Sequence, residues 1–126
     1  MKTLMIFCGI HSLFFAVFHC LFWKKLNWNT ELKQLAPYNR AVMQILNLRL
    51  IYIFFIHSLM CLYFSSELLL TPIGNFILVA SSLFWIGRTI EQFLFKKLLP
   101  FNVPINIFLT ALFIIGSVIY LIPLII

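Results

Sequence analysis

Phe84-Trp85-Ile86-Gly87-Arg88-Thr89-Ile90-Glu91-Gln92 sits inside a run, Phe76 to Phe95, that is otherwise apolar enough to cross a membrane. Helical periodicity places Arg88, Glu91 and Gln92, spaced i, i+3 and i+4, along one face. A charged side chain at the centre of a spanning helix costs about 3 kcal/mol or more, and turns towards a partner or a wet cavity. The chain holds three acidic residues. Glu91 is the one inside an apolar segment, so this stretch reads as a spanning helix with a polar face turned inward.

The rest of the chain agrees. It has 126 residues, 63% hydrophobic and 10% charged, with a mean hydropathy of +1.09. Soluble domains are about 45–50% apolar and about 25% charged. So short a chain has no interior large enough to hide that much apolar surface, and lipid is the expected solvent for much of it. At about 20 residues per span, four helices nearly exhaust the length. The expected fold is all-α: one transmembrane domain, residues 1–126, forming an up-down-up-down four-helix bundle. The helices are expected at about 3–23, 37–64, 76–97 and 103–121.

The net charge of +6 does not point to nucleic acid, because the bases cluster at segment ends. The loops after the first and third helices hold Lys24, Lys25, Lys33, Arg40, Lys96 and Lys97, while the other side has Lys2 and Glu67. The positive-inside rule then places both termini outside and the basic loops in the cytoplasm of a multi-pass, cytoplasmic-type cell membrane. Cys8, Cys20 and Cys61, an odd set within apolar segments, argue against a disulfide framework. Lys2 followed by an apolar run resembles a signal peptide. His11 and His19 interrupt it without a small-residue cleavage site, so residues 3–23 read as a retained helix.

In order along the chain, the first helix carries Cys8, His11, Ser12, Phe15, His19 and Trp23 on one stripe. In the loop that follows, Trp28 is expected as an interfacial anchor. Asn29 or Thr30 is expected to cap a short surface helix whose Leu32 and Leu35 dip into the interface. Ser65 to Asn75 is rich in turn formers. Gly116-Ser117 suits a close helix contact. Phe22-Trp23-Lys24-Lys25-Leu26 echoes Leu94-Phe95-Lys96-Lys97-Leu98, as either a hairpin repeat or two anchored helix ends.

Two constellations carry chemistry. At the cytoplasmic end, His19, Trp23, Asn39, Arg40, Gln44, Asn47, Arg88, Glu91, Gln92 and Asn106 share roughly one depth, with Arg49 deeper. Glu91 is expected to meet Arg40 or Arg49, since Arg88 has the wrong angle for an ideal pair. Three arginines against one carboxylate make a net-positive pocket suited to an anionic headgroup or small acid. The competing reading is a structural polar network. At the other end, Cys8-x2-His11 faces His57-x3-Cys61, a donor set for tetrahedral zinc or copper. His11 and His57 alone are alternatively placed as axial ligands of a b-type haem. Against this, buried cysteine behaves as a small hydrophobe and histidine often bridges two helices.

Soluble-type catalysis has no support here. There is no Gly-rich phosphate loop, no G-x-S-x-G, no C-x-x-C and no close carboxylate pair. The preferred expectation is a membrane protein that binds or transports a small anionic or amphiphilic ligand. His19, Asn39, Arg40, Gln44, Asn47, Arg49, Arg88, Glu91 and Gln92 would form its site. The alternatives are a haem or metal protein using His11 and His57, and an accessory subunit of a larger membrane complex. The expected partners are the lipid bilayer, the ligand, and a second copy or a larger assembly.

Overall fold

The computed structural model describes residues 1–126. The chain folds into α1 (Lys2–Cys20), α2 (Phe22–Lys25), α3 (Trp28–Glu31), α4 (Pro37–Tyr63), α5 (Ser65–Leu70), α6 (Pro72–Phe95), α7 (Val103–Ile119) and α8 (Ile122–Ile125). Short 3-10 turns follow α3 and α6, at Leu32–Gln34 and Lys96–Leu98, and there is no strand. Four stretches, 2–20, 37–63, 72–98 and 103–125, are long and apolar enough to cross a membrane. They match the four expected helices.

Helix starts follow local chemistry. Pro37 and Pro72 occupy first-turn positions, where the missing N–H is not needed. The Thr71 hydroxyl accepts from the Gly74 N–H at 3.0 Å, and Asn102 caps α7 by accepting from the Ile105 N–H at 3.0 Å. The connection expected as a turn at 65–75 instead forms α5, and α6 begins four residues earlier than the sequence suggested. Gly74 permits this tight corner, because a Cβ there would collide with the Glu67 and Leu68 backbone.

The first loop also departs from expectation. Its cap residue is Asn27, in the left-handed region at φ 50°, which Asn tolerates better than most residues. Trp28 is buried against Phe22 and Trp23, with ring centroids 5.7 and 5.2 Å away. Leu32 is buried and Leu35 exposed. The two echoing strings take different backbones: α1 breaks at Leu21 before its copy, while α6 runs unbroken through Phe95. The likeness lies in the end residues and not in the structure.

α1 lies between α4 and α7, and α6 packs chiefly on α7. The α1–α4 contact runs antiparallel. Ser58 Oγ donates to the Gly9 carbonyl at 2.7 Å, Ser12 Oγ to the Phe54 carbonyl at 2.8 Å, and Asn47 Nδ2 to the His19 carbonyl at 3.0 Å. α4 and α6 meet mainly through side chains, around a groove of about 280 Å³ bordered by Ile53, His57, Phe76 and Ser81.

All four long helices send an aromatic ring to one central layer: Phe15, Phe54, Trp85 and Phe113. Trp85 lies 4.5 Å from Phe15, and stacks within 18° of Phe54 and of Phe113 at 5.7 and 5.8 Å. Gly116 makes room for it, as a Cβ there would come within 2.6 Å of the indole and 2.8 Å of His11. Adding a branched side chain at this point overpacks the layer, at about 1–3 kcal/mol or more. Gly116→Val is therefore expected to lower the unfolding temperature sharply in detergent. Gly87→Ala, with nothing within 4 Å of the new Cβ, should hold or raise it, by about 0.5–1 kcal/mol of helix propensity.

Candidate functional site

Below the aromatic layer, towards the end that carries Lys24, Lys25, Lys96 and Lys97, the bundle encloses a cavity of about 330 Å³. Phe15, Phe54, Trp85 and Phe113 form its inner wall, and Leu26 and Pro100, from the two loops at that end, frame its rim. Its only polar side chains are His19 and Arg88. Helical spacing explains the placement. His19 is one turn beyond Phe15 on α1, and Arg88 is one turn beyond Trp85 on α6, so each polar group follows its helix's aromatic-layer residue.

His19 is held in one orientation. Asn47 Nδ2 donates to the His19 carbonyl, which leaves Asn47 Oδ1 to accept from His19 Nδ1–H at 2.8 Å. The ring proton therefore sits on Nδ1 in the neutral imidazole. Nε2 keeps its lone pair and has no hydrogen-bond partner within the protein. The ring also packs against Phe22 and Phe54, at 4.3 and 5.4 Å.

Arg88 lies 4.4 Å over the Phe113 ring, an arrangement that favours the guanidinium electrostatically. Its one carboxylate neighbour is Glu91, at 3.9 Å, and that side chain is 60% exposed. At this distance and exposure the pair is loose, so most of the Arg88 charge stays unneutralised.

The sequence-derived cluster thus divides. Asn47 is the buried anchor of His19, and Gln44 accepts from Trp23 Nε1–H at 3.3 Å. Gln92 is fully buried and donates to Asn106 Oδ1 at 3.5 Å, while its own Oε1 has no partner. Arg40 turns back onto its loop, donating to the carbonyls of Leu32, Lys33 and Leu35. Asn39, Arg49 and Glu91 are exposed on the outside of the bundle. The expected Glu91 contact with Arg40 or Arg49 is corrected: Arg88, one turn away on the same helix, is the partner. Arg40 is drawn off by carbonyls of the preceding loop, and Arg49 points away from the core, over the Tyr52 ring at 5.7 Å.

At the opposite end Cys8, His11, His57 and Cys61 are level but do not converge, and no three His, Cys, Asp or Glu side chains form a metal-holding group. His11 Nε2–H donates to the Leu112 carbonyl at 2.9 Å, and its Nδ1 lies 3.3 Å from the Tyr120 hydroxyl. His57 spends Nδ1 on Ser12 Oγ at 3.3 Å and Nε2 on Ser81 Oγ at 2.9 Å. His11 Nε2 and both ring nitrogens of His57 lie at hydrogen-bond distance from protein groups, so the two histidines bridge helices and do not converge with the cysteines on one point. Cys8 and Cys61 are buried thiols, Cys8 Sγ lying 3.6 Å from the Ile119 carbonyl. Ser58, Ser81, Ser82 and Tyr120 carry much of this network and were not singled out from the sequence. The adjacent Ser81-Ser82 pair in the middle of an apolar run was the available signal. Ser81 faces α4, and Ser82 faces the Ser117 carbonyl of α7.

Compared with protein-family models, curated proteins and solved structures, the chain has no match. Its own geometry therefore carries the functional argument. Asn47→Leu removes both His19 contacts from a buried position and should destabilise the protein by about 1–3 kcal/mol, read as a shift in its denaturation midpoint in micelles. Asn39→Ala, at an exposed position, should leave that midpoint unchanged.

Proposed function

We propose that the chain spans a cytoplasmic-type membrane with both termini outside, and that its central cavity binds a small anionic amphiphile, holding it or passing it across the membrane. The observation that carries this is the cavity's composition: an aromatic chamber with one arginine and one histidine as its only polar side chains. Ligand sites share this plan, with apolar walls for affinity and a few polar groups for orientation, and about 300 Å³ is the lower end of their size.

The roles follow from the chemistry. Phe15, Phe54, Trp85 and Phe113 would hold an aromatic or acyl body. Arg88 would meet the carboxylate or phosphate, its planar fork suited to two oxygens of one anion. Phe113 holds the guanidinium plane, and the loose Glu91 contact leaves its charge available. His19 would supply a second contact through Nε2, as an acceptor when neutral and a donor when protonated. The surrounding lysines at that end of the bundle would draw anions towards the rim. The orientation rests on the same lysines, because basic loops stay cytoplasmic.

The test uses 1-naphthoate as probe and its methyl ester as the uncharged control, in a non-ionic detergent. Naphthoate is expected to stabilise the protein against heating, by about 2.7 kcal/mol at a hundredfold excess over Kd, and the ester much less. Arg88→Gln should erase the difference and Arg49→Gln should keep it. Equal protection by acid and ester, or protection that survives Arg88→Gln, refutes the site. For orientation, Lys2→Cys in a Cys20→Ala background should react with an impermeant maleimide added outside intact cells, and Lys25→Cys should not.

A further inference from the structure

Arg49 and Glu91 are opposite charges within apolar spans, and both are exposed on the outer surface of the bundle. Arg49 is flanked on its helix face by Leu46, Tyr52 and Ile53, whose exposures are 57%, 53% and 57%, and its guanidinium lies over the Tyr52 ring. In a membrane this surface faces hydrocarbon, where an unpaired charge is expensive and a partner is the rule. Arg49 has no carboxylate within ion-pair distance, and Glu91 has one loose contact that leaves most of its carboxylate uncovered.

Their positions are related. His57 bonds to Ser81, and Phe54 packs against Phe84 with ring centroids 5.9 Å apart, which sets the register between α4 and α6. Arg49 lies five residues from Phe54, and Glu91 lies seven residues from Phe84, in the same direction along the bundle. At 1.5 Å rise per residue their depths differ by roughly 3 Å. Helical angles place Glu91 within about 20° of Phe84, on the flank that borders the α4–α6 groove, and Arg49 on the adjoining outer side of α4. One face therefore carries a positive and a negative charge, side by side at one depth, around a groove that its own two helices leave open.

We infer that this face binds a second copy of the chain, in a parallel two-fold dimer in which Arg49 of each protomer pairs with Glu91 of the other. A two-fold axis along the membrane normal preserves depth, so residues level in one protomer meet across the interface. The contact is self-complementary, as an isologous interface requires. It neutralises both charges of each copy, and apolar side chains around the groove, Ile53 and Phe76 among them, become the packing surface. The inference does not depend on the ligand cavity, which lies on the other side of the aromatic wall formed by Phe54 and Trp85.

The experiment measures self-association by energy transfer between labelled copies in phosphatidylcholine vesicles, as the protein is diluted in lipid. Wild type is expected to dimerise. Arg49→Glu and Glu91→Arg should each weaken self-association at least tenfold, because each sets like charges against each other twice. Circular dichroism checks that both variants fold. Mixing the two variants restores opposite charges at both contacts, so a heterodimer should form with close to wild-type affinity. A monomeric wild type overturns the inference. So does a dimer indifferent to either reversal, or two defective variants that fail to pair on mixing.

Discussion

The seating of Trp85 against Gly116 is the contact through which the four long helices become one body. The indole stacks between Phe54 and Phe113 and lies against Phe15, so each helix contributes a ring to one layer. Dispersion between such rings is large because each presents a broad flat area. A side chain on Gly116 would push the indole out and separate α6 from α7.

On either side of that layer, the requirement that buried polar groups be paired dictates the remaining contacts. Hydroxyls at Ser12, Ser58 and Ser82 donate to carbonyls of a neighbouring helix, and the Tyr120 hydroxyl reaches the Cys8 carbonyl at 3.0 Å. A buried donor or acceptor is costly to leave unpaired, so each bond fixes an angle and a register as well as adding stability. His57 extends the pattern. Ser12 Oγ donates to the Phe54 carbonyl and so accepts from His57 Nδ1–H, while Ser81 Oγ, which donates to the Ile77 carbonyl at 2.8 Å, lies 2.9 Å from Nε2. One histidine thereby links α1, α4 and α6 where backbone packing between α4 and α6 is thin.

The ionisable groups behave differently at the two ends and on the outside. Near the Cys8–Cys61 end they are neutral bridges between helices. Near the lysine-rich end, His19 and Arg88 border an aromatic cavity, and His19 Nε2 has no hydrogen-bond partner within the protein. On the outer surface, Arg49 and Glu91 have found no adequate partner within the chain. Arg40, which the sequence offered beside Arg49 as a partner for Glu91, is satisfied by three loop carbonyls.

The sequence by itself determined that the chain is four long apolar helices with short connections, because hydropathy and span length are local, additive properties. It also placed His19 and Arg88 at a common depth, since helical rise converts residue number into distance. The break at Leu21, the α5 helix and the buried Trp28 were not legible, because loop backbones answer to the surfaces they pack on. Nor could the sequence say which polar residues share a cavity. Periodicity gives each helix a face but not its neighbour. The pairing of α1 with both α4 and α7, and the open α4–α6 flank, turn Asn47 inward to anchor His19 and leave Arg49, two residues away, outside. Two residues along a helix are about 200° of rotation, so which is core and which is surface was decided when the helices packed.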